Sequence, residues 1–229
     1  MVTGVDDPGG TLQSTRMSDL QKWIASFVLT TVLVVICYLW VDRPVALLAH
    51  DAHRLSFLIS LQYRVPLIMS PLAGLALLVL AVRALMGRPL SRPYVVILLC
   101  TVSFFIVEGL KTYLKFAFGR TWPESWMGPH ISFIRDGVYG FHPFHGGPAY
   151  TAFPSGHIAA ICAVVFVLWA CYPKFRPLYT LFVVVTAIAL VVSNLHFMSD
   201  VIAGAFLGIS VGWITTATWR VAVHPRVDL

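Results

Sequence analysis

The chain has 229 residues, 58% of them apolar and only 11% charged, with a formal charge of +6 and a mean hydropathy of +0.81. A soluble domain is about 45–50% apolar and about 25% charged. The composition therefore excludes a disordered chain, a basic nucleic-acid-binding domain and a typical soluble enzyme.

Residues 1–20 are polar and carry three Asp against one Arg. They read as a flexible cytoplasmic tail rather than a basic, cleavable leader. Six apolar blocks follow. Blocks 23–41, 65–82, 177–195 and 201–219 contain no Asp, Glu, Lys or Arg, and each has the length that crosses the hydrocarbon core as a helix. The third block, from Tyr94, is charge-free to Val107 and then carries Glu108, Lys111 and Lys115; another runs apolar from Pro154 to Cys171. The fold class expected is all-α: a polytopic membrane protein with six transmembrane helices in one bundle over 21–220, and a tail at 221–229.

Six crossings put both termini on one side. The connections 83–92 and 174–176 hold five basic residues and no acid, with Arg220 and Arg226 near the C-terminus. The positive-inside bias assigns these segments and both termini to the cytoplasm. Connection 42–64 then lies outside, where Leu47, Leu48, Leu55, Leu58 and Ile59 suit an interfacial helix. Residues 116–153 form an outer loop with six Gly and four Pro, too long for a simple connection. Its Trp, Phe, Tyr and His content argues against disorder. The four cysteines lie inside apolar blocks and read as small buried hydrophobes.

An ionisable group at membrane depth is costly and marks a functional candidate. Lys111, Lys115, His157, His196 and Asp200 all approach the same outer end of the bundle from blocks far apart in sequence. Pro154-Ser155-Gly156-His157 opens a helix, whose unpaired N–H groups favour an anion; the plainer reading is Ser155 as an N-cap. His196 and Asp200 are four apart, so Asp200 can meet one imidazole nitrogen and leave the other as nucleophile or base. Alternatively, Asp200 caps the last helix. Glu108 with Lys111 reads as an intramembrane ion pair supporting the site, and Gly204, Gly208 and Gly212 as a close-packing stripe.

These residues resemble the motifs of the type 2 phosphatidic acid phosphatase superfamily, in its membrane lipid phosphatase branch. That family carries Lys-(x6)-Arg-Pro, Pro-Ser-Gly-His and Ser-Arg-(x5)-His-(x3)-Asp. The second motif is intact at 154–157, the third keeps His196-Phe-Met-Ser-Asp200, and the first reads Lys115-Phe-Ala-Phe-Gly-Arg120-Thr-Trp122-Pro123. Two motif arginines are missing, with Trp122 and Leu190 in their places. Arg120 and Arg135 are the expected substitutes in the phosphate clamp, with Asn194 a weaker donor; the alternative for Arg135 is a surface pair with Asp136 or Glu124.

The resemblance implies a phosphatase in the cell (inner) membrane with its site facing outside, acting on a phosphorylated lipid: a polyprenyl diphosphate, phosphatidic acid or phosphatidylglycerol phosphate. His196 would attack phosphorus to form a phosphohistidine, Asp200 would orient it, and His157 would protonate the leaving oxygen. Lys115, Arg120, Arg135, Ser155 and Gly156 would hold the phosphate oxygens. No cofactor and no metal is implied. His142-x-x-His145 has a possible ligand spacing but lacks nearby Cys or paired carboxylates. Two other readings stand beside this one: a lipid phosphotransferase using the same phosphohistidine, and a non-catalytic lipid-binding or transport protein with a degenerate site.

Overall fold

The computed structural model describes residues 9–51, 56–124 and 130–223, with side chains described for 19–50, 68–124 and 130–221. Helix α1 (Gly9–Ile36) passes through a π-helical turn (Cys37–Val41) into α2 (Asp42–Asp51). Then come α3 (Ser56–Leu85), α4 (Arg92–Phe118), the short α5 (Phe133–Asp136), α6 (Gly156–Cys171), α7 (Arg176–Val192) and α8 (Met198–Val223). Among the described residues the only β pairings are isolated bridges inside the 119–151 segment. The chain is an all-helical, multi-pass membrane protein.

Among the described residues, five helical stretches are long and apolar enough to cross a membrane: Asp19–His50, Ile68–Leu85, Arg92–Phe118, Pro173–Val192 and Met198–Val221. The sixth expected span is the apolar helix Gly156–Cys171, of 16 residues. At 1.5 Å per residue it is about 24 Å long, short of a hydrocarbon core of about 30 Å. It starts only after Pro154 and stops before Pro173, so its length is fixed by its two boundaries.

Two boundaries differ from the sequence expectation. The first helix starts at Gly9, inside the segment read as a tail, while residues 1–8 lie outside the described residues. At the other end it runs on through the π turn, so 42–51 continues the first span. In α2, Leu47 and Leu48 are exposed while Asp42 and Ala46 are buried against the bundle. The side chains of Leu55, Leu58 and Ile59 lie outside those described.

Helix α6 is the centre of the bundle, packed most extensively on α8 and then on α4. The reason is visible in α8: a Cβ at Gly204 would lie 2.4 Å from the Ser155 carbonyl oxygen, and one at Gly208 2.2 Å from that of Ala159. The glycine stripe thus seats α8 on the α6 backbone within one chain. Ile158, Cys162, Leu190, Val191, Leu195 and Val201 fill the core beside it. Around this core, Leu29, Leu72, Leu78, Leu181 and Ile188 stay exposed, a lipid-facing apolar surface that water would penalise. Trp23 Nε1 donates to Ser210 Oγ at 3.0 Å, which ties α1 to α8 where water is absent.

Candidate active site

The site is assembled at one end of the bundle from the end of α4, the start of α6 and the α7–α8 junction. Helix α4 carries Lys111 and Lys115 one turn apart and ends at Gly119, which has φ +58°. A Cβ there would lie 1.8 Å from the His142 carbonyl oxygen, so only glycine makes this turn. The turn sends Arg120 inward. Its backbone bridges Phe141 and Thr151, which folds the 119–151 segment over the helix ends.

Ser155 precedes α6 but its hydroxyl makes no cap hydrogen bond, contrary to the plain N-cap reading. Ser155 Oγ is buried without a hydrogen-bond partner, as is Nε2 of His196. Buried polar atoms are normally satisfied, so two such atoms at one place mark a site for a polar ligand. The N–H of Ser155 donates to the Asp200 carbonyl at 3.0 Å, locking the start of α6 to the start of α8. Gly156 faces Lys111: a Cβ at this position would lie 2.9 Å from Lys111 Cδ and 3.3 Å from Nζ. Lys111 Nζ donates to Glu108 Oε1 at 2.5 Å, the ion pair expected from their spacing.

The rings of His157 and His196 meet edge to face, with centroids 5.8 Å apart. His196 Nδ1 lies 3.6 Å from Asp200 Oδ2, a charge contact rather than a closed hydrogen bond. That contact occupies the Nδ1 side of the ring, and Nε2 makes no hydrogen bond within the protein. Burial pushes the His196 imidazole below its ordinary pKa; Asp200 opposes this and Lys115 adds to it. The ring is therefore neutral at pH 7, the form that can act as a nucleophile or base. Asp200 Oδ2 also accepts the Phe197 N–H at 3.0 Å, so the carboxylate both caps α8 and backs the histidine.

Arg120 is fully buried, and its hydrogen bonds run to carboxylates and hydroxyls rather than to either histidine. Its NH1 donates to Asp200 Oδ1 at 2.6 Å and to Ser199 Oγ, and its NH2 donates to Asp42 Oδ2 at 2.6 Å and to Tyr139 Oη. Burial opposes the guanidinium charge, but Asp200 and Asp42 outweigh it and raise the pKa. Phe197, Phe141, Tyr38, Tyr139 and Phe153 surround the guanidinium at 4.5–6.0 Å. Three aromatic residues of the long loop, Tyr139, Phe141 and Phe153, thus join Tyr38 and Phe197 in caging a cation. Arg120 is committed to carboxylates on both terminal nitrogens, which is a different arrangement from the phosphate clamp expected of it.

The other expected donors divide. Arg135 is about half exposed and pairs with Asp136 at 3.1 Å, the alternative reading of that residue; this hydrogen bond holds the Asp136 carboxyl below its usual range. Asn194 is buried and donates to the Ala46 carbonyl at 3.0 Å. Leu190, at the place of a motif arginine, is fully buried in the core, and its carbonyl accepts from Leu195 and His196. Trp122, at the other such place, packs 5.0 Å from the His196 ring, and Lys115 Nζ lies 5.5 Å over its own. His142 and His145 have ring centroids 6.3 Å apart and both pack on Tyr150.

Sequence reasoning puts Asp42 in an outside connection and misses its place beneath the site. An acid directly at the end of a charge-free span is the available signal. The sequence pairs Lys111 with Glu108, yet its four-residue spacing from Lys115 also puts both amines on one helix face.

Residues 93–223, more than half of the chain, match the sequence profile of the PAP2 superfamily. The chain is 31% identical over 109 residues to a lipid A 1-phosphatase of Rhizobium etli, covering 48% of this chain and 43% of that protein. It is 30% identical over the same length to a lipid A 1-phosphatase of Rhizobium johnstonii, covering 48% and 41%. The match thus spans less than half the length of these relatives. Among solved structures, a transmembrane PAP2-type phosphatidylglycerolphosphate phosphatase from Bacillus subtilis superposes with a TM-score of 0.59 at 18% identity, over 90% of this chain and 99% of that one. The fold, the ordered Lys115, Ser155-Gly156-His157 and His196–Asp200 elements, and the profile match agree: this chain belongs to the PAP2 superfamily.

Proposed function

We propose that the chain is a membrane phosphatase that removes phosphate from a lipid through a phosphohistidine on His196. The observation that carries this reading is the pair of neighbouring imidazoles in edge-to-face contact, one backed by Asp200, beside the orphaned Ser155 hydroxyl. His196 Nε2 attacks phosphorus while the bond from phosphorus to the lipid oxygen breaks, and His157 gives that oxygen its proton. Water then attacks the phosphohistidine, His157 takes a proton from it, and the P–N bond breaks to release inorganic phosphate. Both termini are cytoplasmic and the site faces outward, at the inner membrane of a bacterial cell.

The equatorial oxygens are held by Lys115, Lys111, the Ser155 hydroxyl and the N–H groups at the start of α6, including that of Gly156. Lys111 takes the place expected for Arg120, because its amine already lies against Gly156. Arg135, paired with Asp136, is kept as a peripheral donor to the phosphate. The favoured substrate is a lipid bearing an anomeric sugar phosphate of the lipid A type, supported by the two Rhizobium relatives.

Purified protein in EDTA is expected to release phosphate from lipid A bearing a 1-phosphate, faster than from phosphatidylglycerol phosphate, phosphatidic acid or a polyprenyl diphosphate. Release only when an acceptor lipid is added identifies a phosphotransferase instead. No release from any lipid by folded protein overturns the enzymatic reading.

Gly156→Ala tests the oxyanion donors. The new methyl group meets the flexible end of Lys111, so the fold tolerates it while the amine is displaced. Loss of a donor of this kind costs about 10²–10³ in rate, with the melting temperature unchanged. The depressed His196 pKa sets a second expectation. His196 stays neutral to a lower pH than an ordinary imidazole, so the acid limb of the kcat/KM profile is expected below the usual histidine range. Linked to folding, the stability from burying neutral His196 is complete above pH 6.5 and is lost as pH falls from there towards the folded pKa.

A further inference from the structure

We infer that Asp42 and Arg120 are positioning residues for the reaction centre: a buried chain from Asp42 through Arg120 to Asp200 sets the orientation and the net charge of the carboxylate behind His196. The inference rests on the reading of His196 as the nucleophile.

The chain joins three segments that are distant in sequence. Asp42 comes from the start of α2, Arg120 from just after α4, and Asp200 from the first turn of α8. All three side chains have no exposed surface, so none reaches solvent. The two oxygens of Asp200 are held separately. Oδ1 receives Arg120 at 2.6 Å, and Oδ2 faces His196 Nδ1 and the Phe197 N–H. A carboxylate held at both oxygens cannot rotate, which keeps Oδ2 aimed at the ring.

Charge explains why Asp42 is needed as well. Asp200 with Arg120 alone is a neutral pair, and a neutral pair gives little support to the positive charge that forms on His196 during attack. Asp42 restores a net charge of −1 to the triad. Its own oxygens are occupied: Oδ1 accepts the Ser199 N–H at 3.0 Å, and Oδ2 accepts Arg120 and the Ser199 hydroxyl. Ser199 is next to Asp200 in the chain, so Asp42 fixes the same turn of α8 through backbone and side chain together. The five aromatic rings around Arg120 remove water from the triad and strengthen each of its contacts.

The other charged or titratable groups near His196 are Lys115 from α4 and His157 from α6, with Lys111 and Glu108 further along α4. These stay constant in the variants below, and every variant is assayed on one substrate, so a displaced acid limb reports the triad. The full chain is purified in detergent as wild type, Asp42→Asn, Arg120→Met, and the double variant. Asp42→Asn makes the triad neutral and disfavours the imidazolium, so the acid limb moves to lower pH. Arg120→Met leaves two unpaired carboxylates and moves it to higher pH. The double variant restores a net charge of −1 and returns the limb to the wild-type position, with kcat still low because Asp200 is no longer held.

In each variant kcat is expected to fall about 10- to 100-fold, the cost typical of removing a partner that orients a functional histidine, while KM changes little. The double variant replaces a buried ion pair with neutral groups and is the one best able to fold if a single variant cannot. A folded Asp42→Asn or double variant with wild-type kcat overturns the inference. So does a set of variants whose activity falls only in step with the folded fraction while all limbs coincide. His196→Ala, run alongside, separates the two levels: if it stays active the phosphohistidine reading itself fails, whatever the triad variants do.

Discussion

His196→Ala is expected to abolish phosphate release, by at least about 10⁴-fold, as removal of a nucleophile does in enzymes with covalent intermediates. The loss is qualitative as well as large. A radiolabelled lipid phosphate leaves an acid-labile, alkali-stable phosphoryl group on the wild-type protein and none on His196→Ala. His157→Ala gives the complementary result with an activated phosphate ester: the leaving group needs no proton, the phosphoenzyme forms, and its hydrolysis is slow because no base activates water. The geometry behind this pair of results is the 5.8 Å separation of the two rings with Asp200 behind only one of them. A label that survives in His196→Ala, or that is lost equally in both variants, contradicts this assignment of roles.

The second large effect lies away from the chemistry, on the glycine stripe of α8. Gly208→Ala places a methyl group 2.2 Å from the Ala159 carbonyl oxygen and 2.7 Å from Cys162 Cβ. Neither is the far end of a flexible side chain, so α6 and α8 must separate. Overpacking of this kind costs about 1–3 kcal/mol, equivalent to a melting temperature lower by roughly 2–10 °C in a chain of this length. Gly204→Ala adds a consequence of a different kind. Its methyl group meets the carbonyl of Ser155 at 2.4 Å, one residue from the anion-binding end of α6. The Ser155 N–H to Asp200 carbonyl bond joins the same two helix ends. Gly204→Ala therefore loses more activity than its melting temperature explains, and Gly208→Ala loses activity only in proportion to folded protein. Activity per folded molecule, measured for both, distinguishes the two effects.

Much of this protein was legible from its residues. Charge-free runs of spanning length specify membrane helices because no other unpaired backbone survives in lipid. Five of the six blocks became helices of that length, and the block after Pro154 became the short apolar α6. The spacing of Glu108 and Lys111 gave an ion pair, and the four-residue glycine spacing gave the α6–α8 contact, since both follow from helical periodicity alone. The convergence of Lys111, Lys115, Ser155, His157, His196 and Asp200 on one end of the bundle was readable from the alternating direction of the spans.

Tertiary structure decided what local pattern does not encode. Arg120 and Trp122 are two residues apart beside a lost motif arginine, and the sequence does not say which of them faces the histidines. The αL turn at Gly119, set by close approach to His142, sends Arg120 into the protein and leaves Trp122 against His196. Asp42 reads as an outside charge in the sequence, but the π turn carries the first helix past it and brings its carboxylate to Arg120 and Ser199. The sequence alone determined the membrane helices and the polar side chains carried to one end of them, because periodicity and hydropathy act over one or two helical turns. Only the tertiary structure assigned the partners of Asp42, Arg120 and Lys111, because each pairing depends on which helix ends meet across the bundle.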